Sequence, residues 1–195
     1  FVRQSVSIRC MNNHCECNEL KDELKCTNNN KESIDLILNE LKTNEIKSLD
    51  LSFNKLDNIN IEIKSIIKLN LSNNRLLIIK ENQFSKLNKL EILDLSYNEL
   101  FYIELNAFYG LNNVLQVLYL QNNHLTELYQ NNLDNLQQLK YINFDSNKIN
   151  KIRNNVFTSM TNLQNISFQF NRLESIEADA FKGLLSLKDL SFHRN

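Results

Sequence analysis

The chain has 195 residues, of which 42% are hydrophobic, and its 22 Lys and Arg against 23 Asp and Glu give a formal net charge of -1. That composition can supply the core of one sizeable domain and excludes an intrinsically disordered chain. Because there is no basic surplus, nucleic acid is not an expected partner, and no apolar run approaches the roughly 18 residues of a membrane-spanning helix, so no membrane insertion is expected within this segment.

All four cysteines lie near the start of the chain, at Cys10, Cys15, Cys17 and Cys26. An even number of cysteines next to a repeat array predicts a disulfide-stapled cap, because the first coil would otherwise expose its apolar face to water. Four cysteines allow three pairings, and the sequence alone does not choose among them. A zinc site that includes His14 is the alternative, although ligands as close as Cys15 and Cys17 rarely fit a tetrahedral site.

The rest of the chain contains a regular series of asparagines. They are Asn54, Asn74, Asn98, Asn123, Asn147, Asn171 and Asn195, at steps of 20, 24, 25 and then three times 24 residues. Each stands in the frame L-x-x-L-x-L-x-x-N-x-L-x-x-I, usually followed by four residues and a Phe. A period of this size predicts one short supersecondary unit that is stacked repeatedly.

Each repeat is predicted to contribute one short β-strand, because Leu93 and Leu95, two residues apart, share a face as they do in a half-buried strand. The equivalent pairs are Leu49 and Leu51, Leu69 and Leu71, Leu118 and Leu120, Ile142 and Phe144, Ile166 and Phe168, and Leu190 and Phe192. Stacked in register, these strands predict a parallel sheet.

The recurring asparagine is predicted to point inward and to form a ladder, because its amide both donates and accepts hydrogen bonds and can satisfy the backbone of two neighbouring turns. On the return limb, a row of phenylalanines is predicted to pack as a second internal spine. Its members are Phe84, Phe108, Phe157 and Phe181, with Leu133 in place of Phe in one repeat.

The pattern resembles the leucine-rich repeat family, specifically the 24-residue type of animal extracellular proteins such as the Toll-like and Slit-like arrays. The stretch Ala180-Phe181-Lys182-Gly183-Leu184 is typical of such repeats, and the resemblance covers about residues 24–195. It implies an α/β solenoid, a horseshoe with a concave parallel sheet and a convex side of short helices, 3-10 turns and irregular loops. It also implies an N-terminal disulfide cap at residues 1–30 and an array of about seven repeats at 31–195, truncated at its C-terminal end.

The cysteine order C-x4-C-x-C-x8-C looks like the N-terminal flank of extracellular leucine-rich repeats, although the usual proline after the first cysteine is missing. That resemblance implies that Cys10 pairs with Cys17 and Cys15 with Cys26. Such disulfides would place the protein in the secreted or extracellular space, on the outer side of the plasma membrane.

Outward-facing positions of the predicted strands are mostly small or polar, as a solvated concave face requires. The exceptions cluster in the central repeats and are Ile92, Val117, Tyr119 and Tyr141. An exposed apolar and aromatic patch is typical of a protein contact, although tyrosine and β-branched residues also simply suit strands. Asp94 beside the patch and Tyr97 on the rim extend this candidate binding site.

Two Asn-x-Ser sequons, at Asn70 and Asn165, are candidate glycosylation sites that would restrict access to the concave face, although chance matches are expected in so Asn-rich a chain. The sequence has no glycine-rich phosphate loop and no nucleophile motif, so we expect no enzyme activity, no cofactor and no metal. The resemblance implies a module that binds a protein ligand or co-receptor, in innate immunity as in a Toll-like receptor ectodomain or a soluble relative. The alternative is a protein of cell adhesion, axon guidance or the extracellular matrix.

Overall fold

The computed structural model describes residues 15–18, 20, 22–41, 45–129, 132–133 and 136–195. In chain order the elements are β1 (Glu16–Cys17), β2 (Glu23–Lys25), α1 (Lys31–Leu41), β3 (Ser48–Asp50), β4 (Lys68–Asn70), β5 (Ile78–Ile79), β6 (Ile92–Asp94), β7 (Tyr102–Ile103), β8 (Val117–Tyr119), β9 (Glu127–Leu128), β10 (Tyr141–Asn143), β11 (Lys151–Ile152), β12 (Asn165–Ser167), β13 (Ser175–Ile176) and β14 (Asp189–Ser191). Among these described residues, no helix combines the length and the apolarity needed to cross a membrane.

One sheet of nine strands, in the order β1-β2-β3-β4-β6-β8-β10-β12-β14, runs through the whole array. The first pair is antiparallel and every later pair is parallel. The predicted inward residues stand opposite one another, as when Leu93 of β6 faces Leu69 of β4 and Leu118 of β8. The predicted parallel solenoid is therefore confirmed.

The return limbs consist mainly of turns and two-residue strands, and α1, which precedes the first repeat, is the one α-helix among the described residues. Asn30 caps α1, because its Oδ1 accepts the backbone N–H of Ser33 at 2.8 Å. The helix buries Ile34, Ile37 and Leu41 against the array, at the spacing of one helical face. An amphipathic helix of this kind covers apolar side chains at the first coil.

The two-residue strands form two small sheets on the lateral face of the solenoid, one of β5 and β7 and one of β9, β11 and β13. Consecutive coils would pair β7 with β9, but these two strands are not joined. The side chain of Asn132 links the coils instead: Nδ2 donates to the carbonyl of Ile103 at 2.7 Å, and Oδ1 accepts the N–H of Tyr129 at 2.8 Å. The lateral sheet is therefore interrupted at one place.

The recurring asparagines form a continuous hydrogen-bonded ladder. The Nδ2 of Asn98 donates to the carbonyl of Leu71 in the preceding coil and to that of Leu95 in its own, while its Oδ1 accepts the N–H of Leu76 at 3.0 Å. Asn123 then donates to the same Leu95 carbonyl. Each inward carbonyl thus accepts from two successive asparagines, which ties neighbouring coils together.

The phenylalanines stack from coil to coil. The Phe84 and Phe108 rings lie 5.9 Å apart and those of Phe157 and Phe181 lie 5.7 Å apart, both nearly parallel. The fully buried Leu133 belongs to the coil between these two pairs. A second stack runs under the sheet, where the rings of Phe144 and Phe168 are 5.1 Å apart.

Cys15 and Cys26 form a disulfide at the start of the array, which is one of the two pairs that the resemblance implies. Since its sulfur is bonded to Cys26, Cys15 is not a zinc ligand. Cys10, and with it the pairing expected with Cys17, lies outside the described residues, as does His14. Within the described ranges no three His, Cys, Asp or Glu side chains are grouped as a metal site. The carbonyl of Cys26 accepts from Asn54 at 2.7 Å, so the ladder begins at this disulfide.

A candidate binding site on the concave face

The central apolar residues of the concave face form one row across three adjacent strands. Ile92 of β6 is the register partner of Val117 of β8, which in turn is the partner of Tyr141 of β10. All three side chains are partly exposed. Because adjacent strands of a sheet lie about 4.8 Å apart, the row spans about 10 Å.

Tyr119 lies beside this row and packs against Tyr141, with the ring centroids 5.5 Å apart and the planes inclined by 54°. Burial raises the pKa of the Tyr141 phenol, and the amide of Asn143, which donates to its Oη at 3.4 Å, partly offsets that effect. The phenol therefore stays neutral at physiological pH and can donate a hydrogen bond. The structure brings together the four patch residues that the sequence analysis selected.

The position between the two buried strand residues has a structural role that the sequence analysis missed. In β3, β4, β6 and β10 it is occupied by Asp50, Asn70, Asp94 and Asn143. Each of these side chains accepts the backbone N–H two residues further on, at 2.7–2.9 Å. This bond closes the turn that follows the strand, as Asp and Asn commonly do. Asp94, predicted as a contact residue, is therefore also a turn residue.

The turn that follows β12 is closed differently, by a side chain of the preceding coil. Ser167 occupies the turn position of β12, and its hydroxyl donates to Asp145 instead of accepting the N–H of Gln169. Asp145 of the preceding coil accepts instead, from Ser167 Oγ and from the Gln169 N–H, with its Oδ1 2.7 Å from the Gln169 nitrogen. The sequence contains a signal for this role, since the equivalent position in the first three repeats is a serine.

Tyr119 occupies the same turn position in β8, and a tyrosine cannot make this hydrogen bond. Its register partners on the two neighbouring strands are Asp94 and Asn143. Two residues later, the side-chain Oε1 of Gln121 is buried without a hydrogen-bond partner among the described residues. A buried acceptor in that state is destabilising. The turn after β8 thus lacks the side-chain hydrogen bond that closes the turns after β3, β4, β6 and β10.

Tyr97 lies on the rim of the sheet, where the residue before each ladder asparagine adopts a left-handed backbone conformation. Its φ is 52°, and those of Phe53 and Phe170 at equivalent positions are 59° and 55°. Asn73 and Asn122 occupy the position in other coils, and asparagine tolerates this conformation best. The Tyr97 side chain is nevertheless 54% exposed, so it gains little packing for this backbone strain.

The two sequon asparagines lie on the concave strands, and both side chains already make hydrogen bonds. Asn70 on β4 accepts the N–H of Ser72 at 2.9 Å. Asn165 on β12 donates its Nδ2 to Asp189 at 2.6 Å. Glycosylation of Asn165 would compete with the latter contact.

Comparison with known proteins gives matches over most of the chain. Residues 77–195 match, in six copies, the family model described as BspA type leucine rich repeat region. A curated relative, Toll-like receptor 3 of Bos taurus, is 35% identical over 81 residues, which are 38% of this chain and 9% of that protein. The chain therefore spans only a small part of the length of this relative.

Two solved structures share the fold. The structure of the TLR13-ssRNA13 complex superimposes with a TM-score of 0.63 and 26% identity, over 85% of this chain and 27% of that one. Internalin C2 from Listeria monocytogenes str. 4b F2365 gives a TM-score of 0.65 over 88% of this chain and 80% of that one, at 24% identity. At that identity the second likeness bears on the fold alone.

Proposed function

This chain belongs to the family of BspA-type leucine-rich repeat proteins, and on that premise we propose that it is a non-enzymatic recognition module that binds a protein through its concave face. The centre of the contact is the patch of Ile92, Val117, Tyr119 and Tyr141. Tyrosines that are half exposed and packed on each other are typical anchors of protein interfaces, because a ring contributes much contact area with little loss of conformational freedom.

The observation that carries this proposal is the placement of Tyr119. Four other coils have Asp or Asn at its position and use the side chain to close the following turn. Tyr119 cannot make that hydrogen bond, and its ring is not fully buried either, since the side chain stays partly exposed. A residue that weakens its own turn and faces solvent is better explained by contact with a partner than by folding.

The charges on the concave face favour a protein over a nucleic acid. Lys68 is the one cation at the outward-facing positions of β3, β4, β6, β8, β10, β12 and β14, all of which the structure describes, whereas Asp50, Asp94 and Asp189 are anions. A face of this sign repels phosphates and accepts the basic side chains of a protein. RNA is nevertheless part of the TLR13-ssRNA13 complex, so single-stranded RNA is the competitor that an experiment must include.

The biological setting that we propose is extracellular, with a part in innate immune recognition. The similarity to Toll-like receptor 3 and the Cys15–Cys26 disulfide support it. The alternative that we keep is a protein of cell adhesion, axon guidance or the extracellular matrix.

The experiment is a binding screen of the chain against a panel of secreted proteins and receptor ectodomains, followed by affinity measurement on variants. Tyr119→Ala combined with Tyr141→Ala should weaken a hit at least tenfold while leaving the thermal melt within a few degrees. Tyr109→Ala is the matched control, because this tyrosine is 60% exposed but lies on a return limb. Full affinity of the double variant would refute the concave site. If a single-stranded RNA 13-mer binds and its binding depends on the same tyrosines, the partner is RNA and the proposed protein contact is wrong.

A further inference from the structure

A depression of about 540 Å³ lies on the lateral face, away from the concave sheet. It extends over four consecutive coils. Among its walls are Tyr102 and Leu105 from the first coil, Tyr129 from the second, Arg153 and Asn154 from the third, and Glu177 from the fourth. The depression is shallow and open to solvent, so a ligand would lie along the surface instead of being enclosed.

The interruption of the lateral sheet lies beside this depression. Because β7 and β9 are not paired, Tyr102 at the start of β7 and Tyr129 just after β9 are not held at the spacing of neighbouring strands. A second, narrower cleft of about 80 Å³ opens between them and is lined by Asn132. The buried Asn132 side chain holds both coils in place across the gap. Side-chain hydrogen bonds therefore join the two coils where a strand pair is missing.

The apolar wall of the depression is made of side chains that packing leaves in solvent. Tyr102 is 44% exposed, Leu105 is 51% exposed and Tyr129 is 42% exposed. The guanidinium of Arg153 lies over the Tyr129 ring, with Cζ 5.2 Å from the centroid. Arg153 thus orients the Tyr129 ring, and the exposed part of that ring remains available to a ligand.

The polar wall is held by hydrogen bonds to residues around it. Arg153 donates from Nε and Nη2 to Glu127 Oε2 at 3.0 and 2.7 Å. Glu177 accepts the backbone N–H of Asn154 at 2.9 Å and pairs with Lys151 at 2.8 Å. Each ion pair joins one cation and one anion, so the depression has no net charge to attract an ion. The hydrogen bonds hold the planar guanidinium and carboxylate groups in defined positions.

We propose that this lateral depression binds a saccharide. A sugar ring combines an apolar C–H face with a rim of neutral hydroxyls, each of which donates and accepts hydrogen bonds. The exposed tyrosine rings offer a surface for the C–H face, and the guanidinium of Arg153 and the carboxylate of Glu177 offer the donors and the acceptor that hydroxyls require. Because these groups are already ordered, binding would cost little side-chain entropy.

Saturation-transfer NMR of the whole chain with maltohexaose, cellohexaose, mannohexaose and the hexamer of N-acetylglucosamine tests the proposal. At least one oligosaccharide should receive saturation, and its affinity should fall at least tenfold in the Tyr102→Ala, Tyr129→Ala double variant. Tyr102→Phe with Tyr129→Phe retains both rings and should retain binding. Tyr109→Ala, at an exposed tyrosine outside the depression, should bind like the wild type.

Leu105→Asp provides a second disruption that leaves the Tyr129–Arg153 contact intact, and it should also abolish binding. Tyr119→Ala with Tyr141→Ala on the concave face should have no effect, which separates this site from the proposed protein contact. If none of the four oligosaccharides binds, or if binding survives the Tyr102 and Tyr129 alanine pair in a protein with normal circular dichroism, the proposal is wrong. Loss of binding in the concave variant would also overturn it.

Discussion

The side-chain amide of Asn98 donates to the backbone carbonyl of Leu71, 27 residues earlier, at 2.9 Å. Leu71 also accepts from Asn74, so this carbonyl would keep a partner if Asn98 were replaced. The N–H of Leu76 has no such second bond in the ladder, because its acceptor is Asn98 Oδ1. Asn98→Leu should therefore lower the free energy of unfolding by about 1–3 kcal/mol, the typical effect of one orphaned buried donor.

Chemical denaturation with urea measures this difference. Asn113→Leu makes the same chemical change at an exposed asparagine outside the ladder and should change stability by less than about 0.5 kcal/mol. Equal stability of the Asn98 variant and the wild type would show that the ladder does not hold the coils together.

Tyr119→Asn should stabilise the chain while it weakens the proposed partner contact. An asparagine at this position can accept the N–H of Gln121, as Asn143 does for Asp145 at 2.7 Å in the next coil. We expect a gain of about 0.5–1.5 kcal/mol, the usual net effect of one hydrogen bond. Tyr141→Asn is the comparison, because its position in the strand does not close a turn and no gain is expected. A destabilised Tyr119→Asn variant would contradict the assignment of this tyrosine to function.

Tyr97→Asn should leave stability unchanged or raise it by up to about 1 kcal/mol, because the left-handed conformation at φ 52° costs tyrosine more than asparagine. Differential scanning calorimetry is the measurement. Tyr102→Asn makes the same change within strand β7 and should be destabilising, since asparagine disfavours strands. A large loss of stability in the Tyr97 variant would mean that its ring packs to a degree that its exposure does not suggest.

Glu127→Gln should destabilise the chain at neutral pH by less than about 1 kcal/mol, because its partner Arg153 is well exposed and solvent screens the pair. The hydrogen bond from Arg153 lowers the pKa of Glu127 below its ordinary value. A carboxylate with a lowered folded-state pKa stabilises the fold above its unfolded pKa and loses that effect as the pH falls through the folded value. The difference between variant and wild type should therefore shrink below about pH 4.

Thermal melts at pH 7 and pH 3 test that dependence. Glu174→Gln, at an exposed glutamate outside this ion pair, serves as the control. A difference that stays constant between the two pH values would show that packing of the side chain, rather than its charge, is responsible.

The sequence predicted the features that depend on the repeat itself. The leucine pairs and the asparagine steps are local, so the parallel register followed directly from aligning them. The turn role of Asp94 was also visible in principle, because Asp or Asn recurs at that position and both favour such turns. The prediction of Asp94 as a binding residue therefore covers only part of its role.

Features that depend on contacts between coils were not predictable in this way. The bridging role of Asp145 arises because the neighbouring repeat has Ser167 where four other repeats have Asp or Asn. The gap between β7 and β9 is bridged by the Asn132 side chain, which bonds Tyr129 in its own coil and Ile103 in the preceding one. Each of these two contacts joins residues of two different repeats, so an alignment of the repeats to one common pattern does not reveal it.

The strands keep the same register although the repeats differ in length, with steps of 20, 24 and 25 residues between successive asparagines. The return limbs absorb every difference in length, and the concave face is a grid of constant pitch. The position of each outward side chain on this face is then defined by its coil and its place in the strand. One outward side chain of this surface can therefore be substituted without a change at the others. Insertion or deletion of one coil would move the neighbouring strands by one strand spacing and leave the backbone of the other coils unchanged.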